Sequence, residues 1–193
     1  MNEQIQKAVE ILNKGGIIIF PTDTAFGIGC RMDNQAAIKK LFKLRKRPQS
    51  QAVPVLVSGL EMAKEYAIEI PDKVVQDLIN PYWPGALTIV LEANVARVPS
   101  LVRGGTTTVG LRMPNHPVAL KIIKGVRVPI LGTSANFHGE QTPYQLSDLN
   151  NELISLVDYV VEGECSVKKN STVIDATKTP WQILRQGAIE IKI

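Results

Sequence analysis

At 193 residues with 45% hydrophobic and 21% charged side chains, the chain has the make-up of one ordered domain, spanning residues 1–193, and excludes an intrinsically disordered segment. No apolar run reaches membrane-spanning length, and two cysteines are too few for a disulfide scaffold. The excess of 22 basic over 18 acidic residues, a formal +4 with a pI near 9.1, suits an anionic ligand such as a nucleotide, pyrophosphate or RNA.

Ile5, Ala8, Val9 and Leu12 recur at helical spacing and predict an amphipathic first helix ending at Gly15-Gly16. The acidic residues of this helix are unlike a signal peptide, so the cytoplasm is the expected compartment. Ile17 to Phe20 reads as a buried strand that Pro21 stops, and Thr22-Asp23-Thr24 then form a hydroxyl-rich turn. Gly27 and Gly29 leave room there for close approach of backbone or ligand. A second helix starts at the N-cap Asn34, buries Ala37, Ile38, Leu41 and Phe42, and runs into the basic cluster Arg45-Lys46-Arg47-Pro48.

Val53 to Val57 is a strand in which Pro54 predicts an edge position, and Ser58 is the expected cap of the next helix. Pro71 opens another helix with Val74, Val75, Leu78 and Ile79 inward. Pro81 to Gly85 breaks it; Tyr82 and Trp83 fit either a pocket wall or a rigid hydrophobic turn. Strands follow at Leu87 to Leu91 and Thr107 to Pro114, the second delivering Arg112 to its end. His116 and His138 read as isolated hydrogen-bonding residues rather than bases. Val128 to Gly132 is a further strand, and it leads into a second hydroxyl-rich turn, Thr133-Ser134-Ala135-Asn136. The remainder reads as a helix over Leu146 to Leu156, a strand over Val157 to Val161, and an antiparallel hairpin of Ser171 to Asp175 and Trp181 to Gly187 with Arg185 at one end.

Two polar turns after core strands, with Arg47 and Arg112 in like positions, describe a pocket that binds a phosphorylated, carboxylate-bearing ligand. The sequence contains no phosphate-loop, dinucleotide, nucleophile-elbow or His/Cys metal motif. An enzyme of this kind works by positioning and charge stabilisation.

PTDTAFGIGC, RKRP, WPGALT, TTVGLRMPNHP, TSAN, STVID and ILRQGAI occur in this order, and together they resemble the YrdC/TsaC family, the threonylcarbamoyl-AMP synthases. The resemblance runs from about Gly15 to Ile189 and implies a single α/β domain with a twisted mixed sheet and helices around a deep basic cavity. The implied reaction joins L-threonine, bicarbonate or CO2, and ATP into threonylcarbamoyl-AMP and pyrophosphate. The product would pass to the tRNA threonylcarbamoyl-transferase proteins that make threonylcarbamoyladenosine (t6A). By position, Thr24, Arg112, Ser134 and Ser171 are implied to hold threonine. Arg47, Gln51, Thr108, Asn136, Tyr144 and Arg185 are implied to contact ATP, with Arg45, Arg47, Ser134 and Asn136 around the reacting groups. Mg2+ would accompany the nucleotide, held mainly by phosphates and water. No carboxylate is an obvious metal ligand; Asp23 is the one candidate.

The chain departs from the family pattern at three places: Arg45 stands where a lysine is usual, Gln51-Ala52-Val53 replaces a Lys/Asn-Pro-Leu loop, and Phe26 replaces a tyrosine. The length is that expected of the short family form. Two other readings stay open at this point, a double-stranded RNA- or tRNA-binding protein of the same fold without catalysis, and a paralogue with a different acceptor. Aromatic residues are only 5% of the chain, which favours a small ligand over an RNA surface.

Overall fold

The computed structural model describes residues 2–191. In chain order the elements are α1 (Glu3–Asn13), β1 (Ile18–Pro21), β2 (Phe26–Gly29), α2 (Gln35–Leu44), β3 (Val55–Leu56) and α3 (Leu60–Lys64). Next, α4 (Asp72–Val74) continues through a π-helical stretch (Val75–Ile79) into α5 (Asn80–Tyr82), and β4 (Leu87–Glu92), β5 (Thr108–Arg112) and α6 (Pro117–Val126) follow. Then come β6 (Ile130–Leu131), β7 (Thr133–Ser134), a 3-10 turn (Leu146–Asp148), α7 (Asn151–Leu156), β8 (Tyr159–Val160), β9 (Thr172–Asp175) and β10 (Gln182–Arg185).

The strands form two mixed sheets rather than one: β7-β2-β1-β8 and β10-β9-β4-β5-β3-β6. The chain crosses between them at Gly132, because Ile130 and Leu131 pair with β3 while Thr133 and Ser134 pair with β2. Period-2 alternation along β1 then divides the core. Ile18 and Phe20 pack with Ile5, Leu12, Ile122 and Ile123 of α1 and α6, whereas Ile17 and Ile19 join a larger cluster with Phe26, Ile38, Leu41, Leu87, Ile89 and Leu111. Burying each such side chain contributes about 1.5–3 kcal/mol.

The expected N-cap at Asn34 is present, its side chain accepting from the Ala37 N–H at 3.0 Å. Four other expectations change. Pro54 lies just outside the two-residue β3, so the strand needs no N–H from it and sits between β5 and β6, away from the edge. Ser58 caps nothing; its hydroxyl faces Met62 Sδ, and Gly59 occupies the cap position of α3. Pro21 ends β1 from within the ladder, paired with Phe26, and Phe26–Gly29 returns as a strand. The helix expected over residues 146–156 is split, because Leu149 is extended and Asn150 caps a fresh start.

Candidate active site

One face of the six-stranded sheet points at the four-stranded sheet, and alternation selects its residues. Thr88 and Val90 on β4, Thr108, Gly110 and Arg112 on β5, and Val173 on β9 line a cavity of about 400 Å³, while Ile89, Leu91, Val109, Leu111 and Ile174 turn into the core. A register shift between Ile183 and Arg185 brings two successive β10 residues, Leu184 and Arg185, to the same cavity. The opposite wall comes from the turn between β1 and β2 and from β7, with Thr22, Thr24, Thr133 and Ser134.

The turn is built on Thr22. Its Oγ1 donates to the Ala25 carbonyl at 2.7 Å and accepts from the Thr24 and Ala25 N–H groups at 3.2 Å. Arg112 locks onto it from the facing sheet: Nη1 donates to Thr24 Oγ1 at 2.8 Å, Nε to the Gly85 carbonyl at 2.9 Å, and Nη2 to Asp23 Oδ1. Burial pushes the Arg112 pKa down and Asp23 opposes that, so the ion pair keeps a guanidinium charged inside the protein. Asp23 thus spends one oxygen on Arg112, its other oxygen is buried with no hydrogen bond, and it does not line the cavity.

Ser171 is the second hub. Its hydroxyl lies 3.0 Å from Thr88 Oγ1 and accepts from Arg185 Nη2 at 2.9 Å, and its carbonyl accepts from Arg185 Nε and Nη2 at 3.0 and 2.8 Å. Arg185 is thereby held along the wall, and burial lowers its pKa, with Tyr144 working the other way. Arg47 completes the basic set. A left-handed Lys46 (φ 54°) ends α2, with Arg47 N–H bonded to Phe42 O and Lys46 N–H to Lys43 O, the pattern of a Schellman stop. This turns Arg47 to the cavity, where Nη2 donates to the Ala52 carbonyl at 2.6 Å. Burial lowers its pKa as well.

Seven of the residues singled out from sequence therefore come together around the cavity: Thr24, Arg47, Thr108, Arg112, Ser134, Ser171 and Arg185. Four do not line it: Arg45, Gln51, Asn136 and Tyr144. Arg45 is buried, with Nε and Nη2 donating to the Asn136 carbonyl and Oδ1 at 2.9 and 3.0 Å. Gln51 is exposed in the loop whose carbonyls hold Arg47, and Tyr144 follows Pro143, whose carbonyl accepts from the Phe26 N–H at 3.0 Å. Trp83 is buried with its indole N–H on the Leu87 carbonyl at 2.9 Å, which makes it part of a rigid turn and no pocket wall. Sequence reasoning passed over Thr88. The available signal was a lone threonine at the cavity-facing register of an apolar strand, where a buried hydroxyl needs a partner.

Residues 10–187 match the profile of the Sua5/YciO/YrdC family, described as telomere recombination. The chain is 32% identical over 98% of its length to the threonylcarbamoyl-AMP synthase of Pyrococcus abyssi, spanning 55% of that protein. To the threonylcarbamoyl-AMP synthase of Vibrio cholerae it is 33% identical, covering 96% of this chain and 98% of the relative. Among solved structures, P. abyssi Sua5 complexed with L-threonine superposes with a TM-score of 0.88 at 32% identity, over 95% of this chain and 54% of that one. Escherichia coli YciO superposes at 0.85 with 26% identity, over 96% and 90%. The profile match over almost the whole chain, with the same fold in relatives above 30% identity, makes this chain a member of the Sua5/YciO/YrdC family.

Proposed function

We propose that the chain is an L-threonylcarbamoyl-AMP synthase, a nucleotidyltransferase that forms threonylcarbamoyl-AMP and pyrophosphate for t6A synthesis. The observation that carries this reading is the convergence of three guanidiniums, Arg47, Arg112 and Arg185, with the hydroxyls of Thr24, Thr88, Thr108, Ser134 and Ser171 around one cavity of ligand size. Relatives named threonylcarbamoyl-AMP synthase and a Sua5 structure holding L-threonine support the substrate.

In this reading Thr24, Arg112, Ser134 and Ser171 hold threonine, while Arg47, Thr108 and Arg185 hold ATP, with Gln51 and Tyr144 near the rim. The threonine amine forms an N–C bond to CO2 and loses a proton to give a carbamate. A carbamate oxygen then bonds to the α-phosphorus as the bond to pyrophosphate breaks. Negative charge gathers on the phosphates during that transfer, and pre-positioned guanidiniums and hydroxyl donors stabilise it without reorganising. Among the described residues no three His, Cys, Asp or Glu side chains converge to hold a metal. Mg2+ would enter on the phosphates of ATP, held mainly by them and by water. The reading places the chain in the cytoplasm, as one domain, upstream of a tRNA threonylcarbamoyl-transferase, with tRNA contact a further proposal.

Arg47→Ala tests the assignment. It removes one phosphate-facing guanidinium from the surface of the cavity, and pyrophosphate release should fall about 10²–10³-fold with the fold retained. Unchanged release would sink the assignment. The departures from the family pattern at Arg45 and Gln51-Ala52-Val53 motivate a second reading, a paralogue with another acceptor. ATP turnover that needs a different amine in place of threonine would favour it.

A further inference from the structure

His116 stands at the start of α6, where a capping side chain would turn to the backbone of the first helical turn, and it makes no such bond. Its ring reaches instead to a distant part of the chain, with Nε2 3.1 Å from the Glu164 carbonyl. A carbonyl only accepts, so Nε2 carries the proton and donates. His116 does not line the cavity.

Glu164 belongs to a strap, residues 161–170, that joins β8 to β9 without regular secondary structure. The strap lies over the turn that carries Thr24. Where it enters, Gly163 packs so closely on Pro21 that a Cβ would lie 2.7 Å from Pro21 Cγ. The Cys165 thiol is buried beside the Thr22 backbone, Asp23 and Arg112. Two residues further on, the Val167 N–H donates to the Asp23 carbonyl at 2.7 Å. The strap then delivers Asn170 and Ser171 to the cavity wall.

Among the described residues, the strap backbone between 163 and 169 makes two hydrogen bonds, the one from His116 and the one to Asp23. A segment held by so few bonds opens locally at low cost, and losing either bond loosens what lies beside it. What lies beside these two is the Thr22–Thr24 turn on one side and Ser171 on the other.

We propose that His116 is a positioning residue, a clasp that pins the strap over the Thr22–Thr24 turn and so fixes the threonine end of the cavity, Thr24, Arg112 and Ser171, without meeting the ligand. The feature that makes the clasp work is the Nε2–H donor. A ring of the same shape without a donor leaves the Glu164 carbonyl unpaired and the strap free to lift.

The kinetic half of the test rests on the synthase reading, and the exchange half does not. Four proteins are compared: the wild type; His116→Phe, a ring without a donor; His116→Gln, an amide donor in place of the ring; and Gly163→Ala, which pushes the strap off Pro21 and leaves His116 intact. KM for L-threonine and for ATP are measured in pyrophosphate release, and amide hydrogen exchange is followed at Val167 and in β4 and β5. His116→Phe and Gly163→Ala should each raise KM for threonine at least about fivefold while KM for ATP moves less than about twofold. Exchange at Val167 should quicken at least about tenfold in both, with β4 and β5 unchanged. His116→Gln should return both readouts to within about twofold of the wild type, because the donor is restored.

A His116→Phe protein with wild-type KM for threonine would overturn the proposal, as would one whose two KM values rise together, the mark of a general loss of structure. So would His116→Gln behaving like His116→Phe, since the ring's packing and not its donor would then matter. Should His116→Phe fail to fold, Gly163→Ala decides, and an unchanged KM for threonine in it rejects the strap's role. A wild type that binds ATP without releasing pyrophosphate rejects the synthase reading. The clasp is then judged on exchange alone, and a Val167 amide that stays protected in His116→Phe overturns it.

Discussion

Arg112 and Asp23 are the most consequential pair of side chains in this protein, since each is nearly inaccessible to water, with side-chain exposures of 7% and 3%. Removing one partner of a buried pair leaves the other charge uncompensated, so Asp23→Ala should destabilise the fold by about 3–5 kcal/mol in urea unfolding. A loss below about 1 kcal/mol would contradict the account of Arg112. His116 supplies the pH dependence. Its Nε2 lies 3.1 Å from the Glu164 carbonyl while Nδ1 is buried with no partner, so the neutral ring fits and a second N–H would be stranded. Burial lowers its pKa below 6.5, against the weaker pull of the Glu164 carbonyl and Asp23. The unfolded chain therefore takes up the proton first, and stability is full above about pH 6.5 and falls as the pH drops toward the folded pKa. His116→Gln should flatten the fall in Tm between neutral and mildly acidic pH, measured by circular dichroism; an unchanged slope would assign the dependence elsewhere.

At the scale of elements, the strand pair β1–β2 holds the turn that carries Thr24, and its seat depends on Gly29. A Cβ at this position would lie 1.7 Å from the Leu131 carbonyl oxygen, and backbone cannot yield as a flexible side chain does. Gly29→Ala should abolish soluble folded protein, read by expression and near-ultraviolet circular dichroism, whereas Asn34→Ala at the start of α2 should cost only about 1 kcal/mol. Most elements were legible because their periodicity agrees with their environment: the burial of α1 follows Ile5, Ala8, Val9 and Leu12, and Arg112 ends β5 as its strand pattern requires. The division into two sheets was not legible, because residues 128–136 read as one strand followed by one turn. The crossing depends on Gly132, where a Cβ would meet the Leu56 side chain at 2.3 Å, a tertiary contact with no local signature. In the site, the cavity-facing hydroxyls and arginines could be read from strand ends. The inward turn of Arg45 could not, since a basic cluster at a helix C-terminus looks the same whether it is solvated or buried.

The whole molecule is two sheets facing each other across a cavity whose walls come from both, so a ligand seated there touches parts of the chain far apart in sequence. Such a ligand binds the folded state alone and must stabilise it. At about 100 times its dissociation constant, ATP should raise unfolding stability by about 2.7 kcal/mol, and an equal Tm with and without ATP would argue against a nucleotide site. The basic lining also explains why the free protein tolerates three guanidiniums near one another. Arg112 is paired with Asp23, while Arg47 and Arg185 are held by backbone carbonyls, which leaves their charge available to an anion. The most direct measurement is pyrophosphate release from ATP and Mg2+ with bicarbonate, with and without L-threonine. The account predicts release only when threonine and bicarbonate are both present, and release that ignores threonine, or none from folded protein that binds ATP, would contradict it.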